Sequence, residues 1–268
     1  MTVTQALLLG LLQGVTEFLP VSSSGHLALA KAAFSLGDVP LLFDVSLHLA
    51  TLAAVLLYFR GIIARLLSAL SRRVRRKTRE GDDACLRTLA ALLSGTAVTA
   101  AFGAALHKNV SDLPLKVVSA GFIITALMLV VSGRVAAKRV GGAPRWVSVR
   151  QGVVVGFAQG IGVLPGISRS GSTISGALLC GVGREEAGEF SFLLSVPAVL
   201  GAFALELVGA EGMAQSVGAG ELALGCATAF AAGLASLACL MKLIRRGRLE
   251  WFAVYLVPLG AAGLLFLH

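Results

Sequence analysis

Residues 18–29 read FLPVSSSGHLAL, with Glu17 immediately before them. Three serines, a glycine and a histidine follow a proline inside a stretch that is otherwise apolar from residue 3 to residue 36. Such a break leaves two arms of about 10–15 residues. At about 1.5 Å per residue neither arm crosses a hydrocarbon core about 30 Å thick. Residues 3–36 therefore read as a re-entrant helical hairpin, because irregular backbone at membrane depth survives only inside protein or against a polar cavity. Residues 151–182 repeat the pattern around LPGISRSGSTISG, 164–176.

The remainder of the chain supplies the membrane. Of 268 residues, 56% are hydrophobic and 14% charged, and the mean hydropathy is +0.86. Soluble domains carry nearly twice that charged fraction. Six segments, roughly 41–59, 87–106, 117–134, 189–209, 220–241 and 251–267, come near or beyond the length of a spanning helix. The expected fold is an all-α polytopic membrane protein, one integral domain over 1–268. It has about six transmembrane helices plus two re-entrant helical hairpins.

The formal charge of +9 would suit nucleic acid, but its distribution does not. Of 23 Lys and Arg, nine lie between Arg60 and Arg87, five between Arg134 and Arg150, and four between Lys242 and Arg248. These are segments between apolar runs, where basic residues stay cytoplasmic. No nucleic-acid partner is expected. On this orientation 107–116 and 210–219 face outside, the first hairpin opens from outside, and the second from inside. Both termini are then external. The N-terminus lacks the basic region of a signal peptide. The four cysteines form no CxxC pair, and no Cys/His cluster has zinc-ligand spacing.

Sliding the chain on itself by 146 residues superposes Gly10, Gln13 and Gly14 on Gly156, Gln159 and Gly160. Ser22, Ser24 and Gly25 then fall on Ser168, Ser170 and Gly171. An inverted-topology repeat is expected, with halves of approximately 1–140 and 147–268 and a site at the midplane where the breaks meet. Gly152, Gly156 and Gly160 recur every four residues, the spacing of close helix packing in membranes.

Both breaks carry the chemistry of an anion site. Ser22–Ser24 and Ser168–Ser170 stand at the starts of half-helices, where serine caps and free N–H groups attract anions. Arg169 is expensive at membrane depth, about 2.5–3.5 kcal/mol, so it calls for a cavity and a partner. Its planar fork suits phosphate. The bland alternative is an arginine that pairs with a carboxylate merely to hold two helices together. Glu17 and His26 add groups able to move protons or hold a metal. A phosphate on a lipid tail fits such a pocket.

The runs QGVTEFLPVSSSGH (13–26) and PGISRSGST (165–173), with EFSFLLSVP (189–197), resemble the signature motifs of the bacterial undecaprenyl-diphosphatase (bacitracin-resistance) family. The resemblance covers essentially the whole chain. It implies an integral enzyme that hydrolyses undecaprenyl diphosphate to the monophosphate, recycling the lipid carrier for cell-wall peptidoglycan synthesis and conferring bacitracin resistance. It places the enzyme in the bacterial inner membrane with its site opening to the extracytoplasmic side, and a homodimer is allowed for. The family's acidic motif maps onto Gln13 and Glu17, and its serine/histidine segment onto Ser22, Ser23, Ser24 and His26. Its phosphate-binding motif maps onto Ser168, Arg169, Ser170 and Thr173. The resemblance also implies a divalent cation, Mg²⁺ or Ca²⁺, for which Glu17 and Gln13 are the expected ligands.

Three attackers on phosphorus remain open: Ser23, His26 itself, or a metal-bound water. Ser23 is preferred, because a half-helix starting at Ser22 would put Ser23 and His26 on one face. A polyprenyl-phosphate flippase or other transporter is the alternative from a different class, with Asp44 and His48, spaced i,i+4, as a proton relay or a simple cavity-lining pair. The other membrane lipid-phosphatase family needs a histidine where this chain has Ser175.

Overall fold

The computed structural model describes residues 1–33, 41–106, 113–139, 146–209 and 217–266. Among them every regular element is helical. In chain order these are α1 (Val3–Phe18), α2 (Ser23–Ala33), α3 (Leu41–Tyr58), α4 (Arg60–Val74), α5 (Asp82–Leu106) and α6 (Leu115–Ala137). There follow α7 (Val149–Ile161), α8 (Arg169–Leu179), α9 (Arg184–Gly209), α10 (Ala219–Arg246) and α11 (Trp251–Phe266). The external segments expected at 107–116 and 210–219 lie mostly outside the described residues.

Polarity is distributed as lipid demands. Gln13, Ser119, Thr125 and Ser132 are fully buried, whereas Leu93, Leu127, Val254 and Phe266 are largely exposed. A soluble protein does the reverse. Stretches long and apolar enough to cross a membrane occupy 82–105, 115–137, 184–204 and 219–246. A fifth is available if α3 and α4 count together across a bend of 71°. Two expectations change here. The chain after residue 59 is not simply a basic connection: it forms α4, which buries Leu66 and Ala69 and leaves Arg60, Arg65 and Arg73 exposed. Segment 251–267 yields a helix of 16 residues with Pro258 inside it, shorter than a straight crossing needs.

The basic segments gather at one end of the bundle. Arg245 at the end of α10 pairs with Glu185 at the start of α9 at 2.7 Å. Arg72 of α4 grips Asp82 of α5 through two hydrogen bonds, at 2.9 and 2.5 Å. Arg139 donates to the carbonyls of Leu178 and Leu179, satisfying the last turn of α8. Gln151 in the first turn of α7 donates to the Cys180 carbonyl at 3.1 Å. The α7–α8 hairpin thus returns to the end at which it starts.

Residues 146 apart do the same work in the two halves. Thr2 and Gln5 make a capping box on α1, and Ser148 and Gln151 make one on α7. The second arms begin at Ser23 and Arg169. α1 packs along α10 while α7 packs along α5. Both crossings are glycine-backed: Gly10 lies on Gly225 and Gly156 on Gly95, each so close that a Cβ would strike the opposing carbonyl oxygen. The glycine ladder of α7 is therefore a packing seam, with Gly160 set against the Phe102 ring.

Candidate active site

Two helix starts meet across the molecule. Ser22 caps α2, its Oγ accepting from Gly25 N at 3.3 Å, and Ser168 caps α8, its Oγ accepting from Gly171 N at 3.0 Å. Ser22 adopts φ 68°, a left-handed conformation that a side chain disfavours. Gly166, at φ 86° and with its Cα against the Val118 carbonyl, provides the corresponding sharp turn before Ser168, where no side chain fits. Each break therefore aims a helix N-terminus, with its unpaired N–H groups and positive dipole end, at the same space.

That space is a cavity of about 290 Å³, at the small end for ligand sites. Glu17, Ser22, Ser23, Ser24, Ser168 and Arg169 line one part of it, and Val45, Leu49, Val199 and Phe203 of α3 and α9 form an apolar wall. Thr99, Gln159 and His48 also reach it. A polar head joined to an apolar remainder matches this division.

Glu17 is the hub. Its Oε1 is ion-paired to Nη2 of Arg169, so the two broken hairpins are joined by charge. Its Oε2 accepts from Ser23 Oγ at 2.7 Å and from Gln13 Nε2 at 3.0 Å. The second amide proton of Gln13 points at Nδ1 of His48, 3.0 Å away. An amide nitrogen only donates, so in this contact Nδ1 is the acceptor. Gln13 cannot be turned round, since its carbonyl would then face the carboxylate. Gln13 Oε1 consequently stays buried without a partner, as do Gln159 Oε1 and Arg169 Nη1. A guanidinium with a spare donor beside two helix N-termini suits an anion.

The remaining expected site residues are placed otherwise. His26 does not face Ser23: its Nδ1 lies 2.8 Å from the Ser22 carbonyl and its Nε2 2.7 Å from the Tyr255 hydroxyl. The helix begins at Ser23 rather than Ser22, and the serine hydroxyl turns to Glu17 instead. Ser170 contacts Ser168 Oγ at 3.2 Å and the Leu19 carbonyl at 3.4 Å, bracing one break on the other. Thr173 Oγ1 bonds the Arg169 carbonyl and the Ser191 hydroxyl. Neither Ser170, Thr173, His26 nor Gln13 is among the residues lining the cavity. They stand behind those that do.

Comparison with known proteins covers nearly the whole chain. A family model described as bacitracin resistance protein BacA matches residues 6–262. The chain belongs to the BacA family. A relative named undecaprenyl-diphosphatase from Treponema denticola is 46% identical over 260 residues, covering 97% of this chain and 96% of that protein. Proteins of the same name from Christiangramia forsetii and Korarchaeum cryptofilum are each 38% identical, covering 100% and 98% of this chain and 99% and 98% of their own. Both breaks, and all of the two hairpins but the start of α1, fall within the BacA match. Thr99 and Tyr255 are contacts that sequence reasoning did not assign to the site, whereas His48, read as a proton relay or cavity-lining residue with Asp44, does line the cavity. Gln159 also had a signal, its register with Gln13.

Proposed function

We propose that this BacA-family chain is an undecaprenyl-diphosphatase, removing the terminal phosphate of the lipid diphosphate to leave the monophosphate. The observation that carries the reading is the Ser23–Glu17–Arg169 arrangement at the junction of two helix N-termini. The Arg169 guanidinium and the N–H groups of α2 and α8 bind the phosphate oxygens. Ser23 Oγ attacks the terminal phosphorus while Glu17 orients the hydroxyl and takes its proton. The new Oγ–P bond replaces the bridging P–O bond, and the lipid monophosphate departs. Water then hydrolyses the phosphoserine, releasing phosphate and restoring the hydroxyl. Charge stabilisation carries most of the acceleration, because phosphate-ester hydrolysis is very slow without it.

A divalent cation, Mg²⁺ or Ca²⁺, belongs to this proposal. Among the described residues no three His, Cys, Asp or Glu gather as a metal cluster. Glu17 and Gln13 are the ligands we propose: an ion beside the carboxylate would replace the amide N–H there and let Gln13 turn its unpartnered carbonyl oxygen toward it, with phosphate and water completing the set. When bound, the ion would neutralise phosphate charge beside Glu17.

The membrane arrangement we infer has six crossings, with the 16-residue α11 as a short sixth to which the bilayer thins, and two re-entrant hairpins in an inverted repeat. Matching capping boxes 146 residues apart and the paired glycine crossings support it. The basic end faces the cytoplasm of a bacterial inner membrane, and the cavity opens to the other side. The test is phosphate release from undecaprenyl diphosphate by the purified protein in detergent. Movement of lipid phosphate across vesicles without any phosphate release would replace hydrolysis by transport.

A further inference from the structure

His26 and Tyr255 are 229 residues apart, on helices α2 and α11 that otherwise scarcely touch. Their rings stack, with centroids 5.7 Å apart and planes 20° from parallel, and the edge of Phe122 on α6 closes a third side. The atoms fix the protonation pattern. A backbone carbonyl only accepts, so the Ser22 oxygen requires a proton on Nδ1 of His26. Nε2 then carries the lone pair and accepts from the Tyr255 hydroxyl at 2.7 Å.

The Ser22 carbonyl receives two hydrogen bonds, both from His26: the backbone N–H at 3.1 Å and Nδ1–H at 2.8 Å. Ser22 needs them. A non-glycine residue at positive φ persists only where its surroundings over-determine it. Ser23 follows directly, and the direction of its hydroxyl toward Glu17 depends on this turn. A hydrogen-bonded path therefore runs from α11 through the imidazole to the turn that presents Ser23.

We propose that Tyr255 is a positioning residue for the active-site turn, acting through His26. By holding Nε2 as an acceptor it keeps the proton on Nδ1, and so keeps the Ser22 carbonyl, and with it Ser23, in place. Tyr255 is not among the residues lining the cavity. This role rests on the phosphatase reading for its kinetic consequence, but the tautomer it assigns does not.

Tyr255→Phe removes one hydroxyl and leaves the stacked ring. The expected result is a fall in kcat of roughly three- to tenfold, the size of one neutral hydrogen bond, with KM within about twofold. Nitrogen NMR of ring-labelled protein in detergent, with His26→Gln identifying the signals, is the second measurement. Wild-type protein should show Nδ1 protonated and Nε2 as a hydrogen-bonded acceptor, and Tyr255→Phe should shift the Nε2 signal. Unchanged kcat, or unchanged imidazole signals, in Tyr255→Phe overturns the proposal, as does an Nε2-protonated His26 in the wild type. If wild-type protein shows the Nδ1 tautomer but releases no phosphate, the phosphatase reading fails instead. Should the variant not fold, the wild-type spectrum still decides the tautomer.

Discussion

Glu17 and Arg169, 152 residues apart in the chain, form an ion pair that spends one oxygen of the carboxylate and one nitrogen of the guanidinium. Each partner keeps a second atom for other work. Glu17 Oε2 holds Ser23, and Arg169 Nη1 is buried without a partner. A purely structural pair has no use for that division. It matches a site in which the carboxylate prepares an attacking hydroxyl and the guanidinium waits for an anion.

Arg169→Lys separates the two roles. A lysine has one nitrogen on a flexible stem and cannot hold Glu17 and phosphate together. Phosphate release should fall roughly 10²-fold, the size of losing one well-placed donor in a dry site. Gel filtration and thermal melting should show a folded protein. Near wild-type turnover would leave Arg169 as a helix tie only.

Gln13→Glu tests the cation. The amide now donates to Glu17 at 3.0 Å, and a carboxylate in its place sets like charge against like charge. Without divalent ions the variant should melt below wild type. With Mg²⁺ or Ca²⁺ it should recover more than wild type does, because two carboxylates then face the ion. Equal response of the two melting curves to added ion and to chelator would remove Gln13 and Glu17 as its ligands.

The two breaks were legible because their physics is local. Proline, glycine and serine clustered within a few residues favour a local helix break, and a lone arginine at membrane depth needs a reason. The repeat was legible as a spacing of 146, which reappears in the capping boxes. What could not be read are the partners brought by tertiary packing. His48 was legible only through its i,i+4 spacing to Asp44; its Nδ1 contact with Gln13 on α1 was not. Tyr255 resembles any aromatic residue in an apolar helix until α11 sets it against His26. Helix α4 was hidden by charge: its arginines read as a connection, although Leu66 and Ala69 recur at helical spacing among them.

The glycine crossings predict stability rather than turnover. An added methyl at Gly156 would meet the Gly95 Cα at 2.6 Å, in backbone that cannot swing aside. Gly156→Ala should destabilise by about 1–3 kcal/mol, as overpacking does. Gly103→Ala, on the facing helix α5 with open space around it, should be neutral or up to about 1 kcal/mol stabilising. Melting in one detergent compares them. Equal melting temperatures would deny the close crossing.

Orientation is tested at two points of the described chain. Cys85 lies near the basic end, and Lys116 is exposed in the first turn of α6, at the other end of the bundle. A membrane-impermeant thiol reagent should leave Cys85 unlabelled in intact cells and should label Lys116→Cys in a background without the native cysteines. The opposite pattern would turn the cavity toward the cytoplasm.

Ser23 is the last and most demanding test. Its hydroxyl lies in the cavity at a helix start, donating to a carboxylate 2.7 Å away, while the His26 ring is turned toward Tyr255. That geometry favours serine over histidine as the attacking group. Ser23→Ala should lower phosphate release by roughly 10³- to 10⁶-fold, the range seen when a nucleophile is removed. Glu17→Gln should also be severe. The double variant should be no worse than Ser23→Ala alone, because groups acting on one proton transfer are not additive. Rapid acid quenching with terminally labelled diphosphate lipid should trap acid-stable phosphoserine in wild-type protein and none in Ser23→Ala. An acid-labile, base-stable phosphoenzyme would move the attack to His26. Undiminished turnover in Ser23→Ala would move it to water, and Glu17 would then act on that water instead of on the serine.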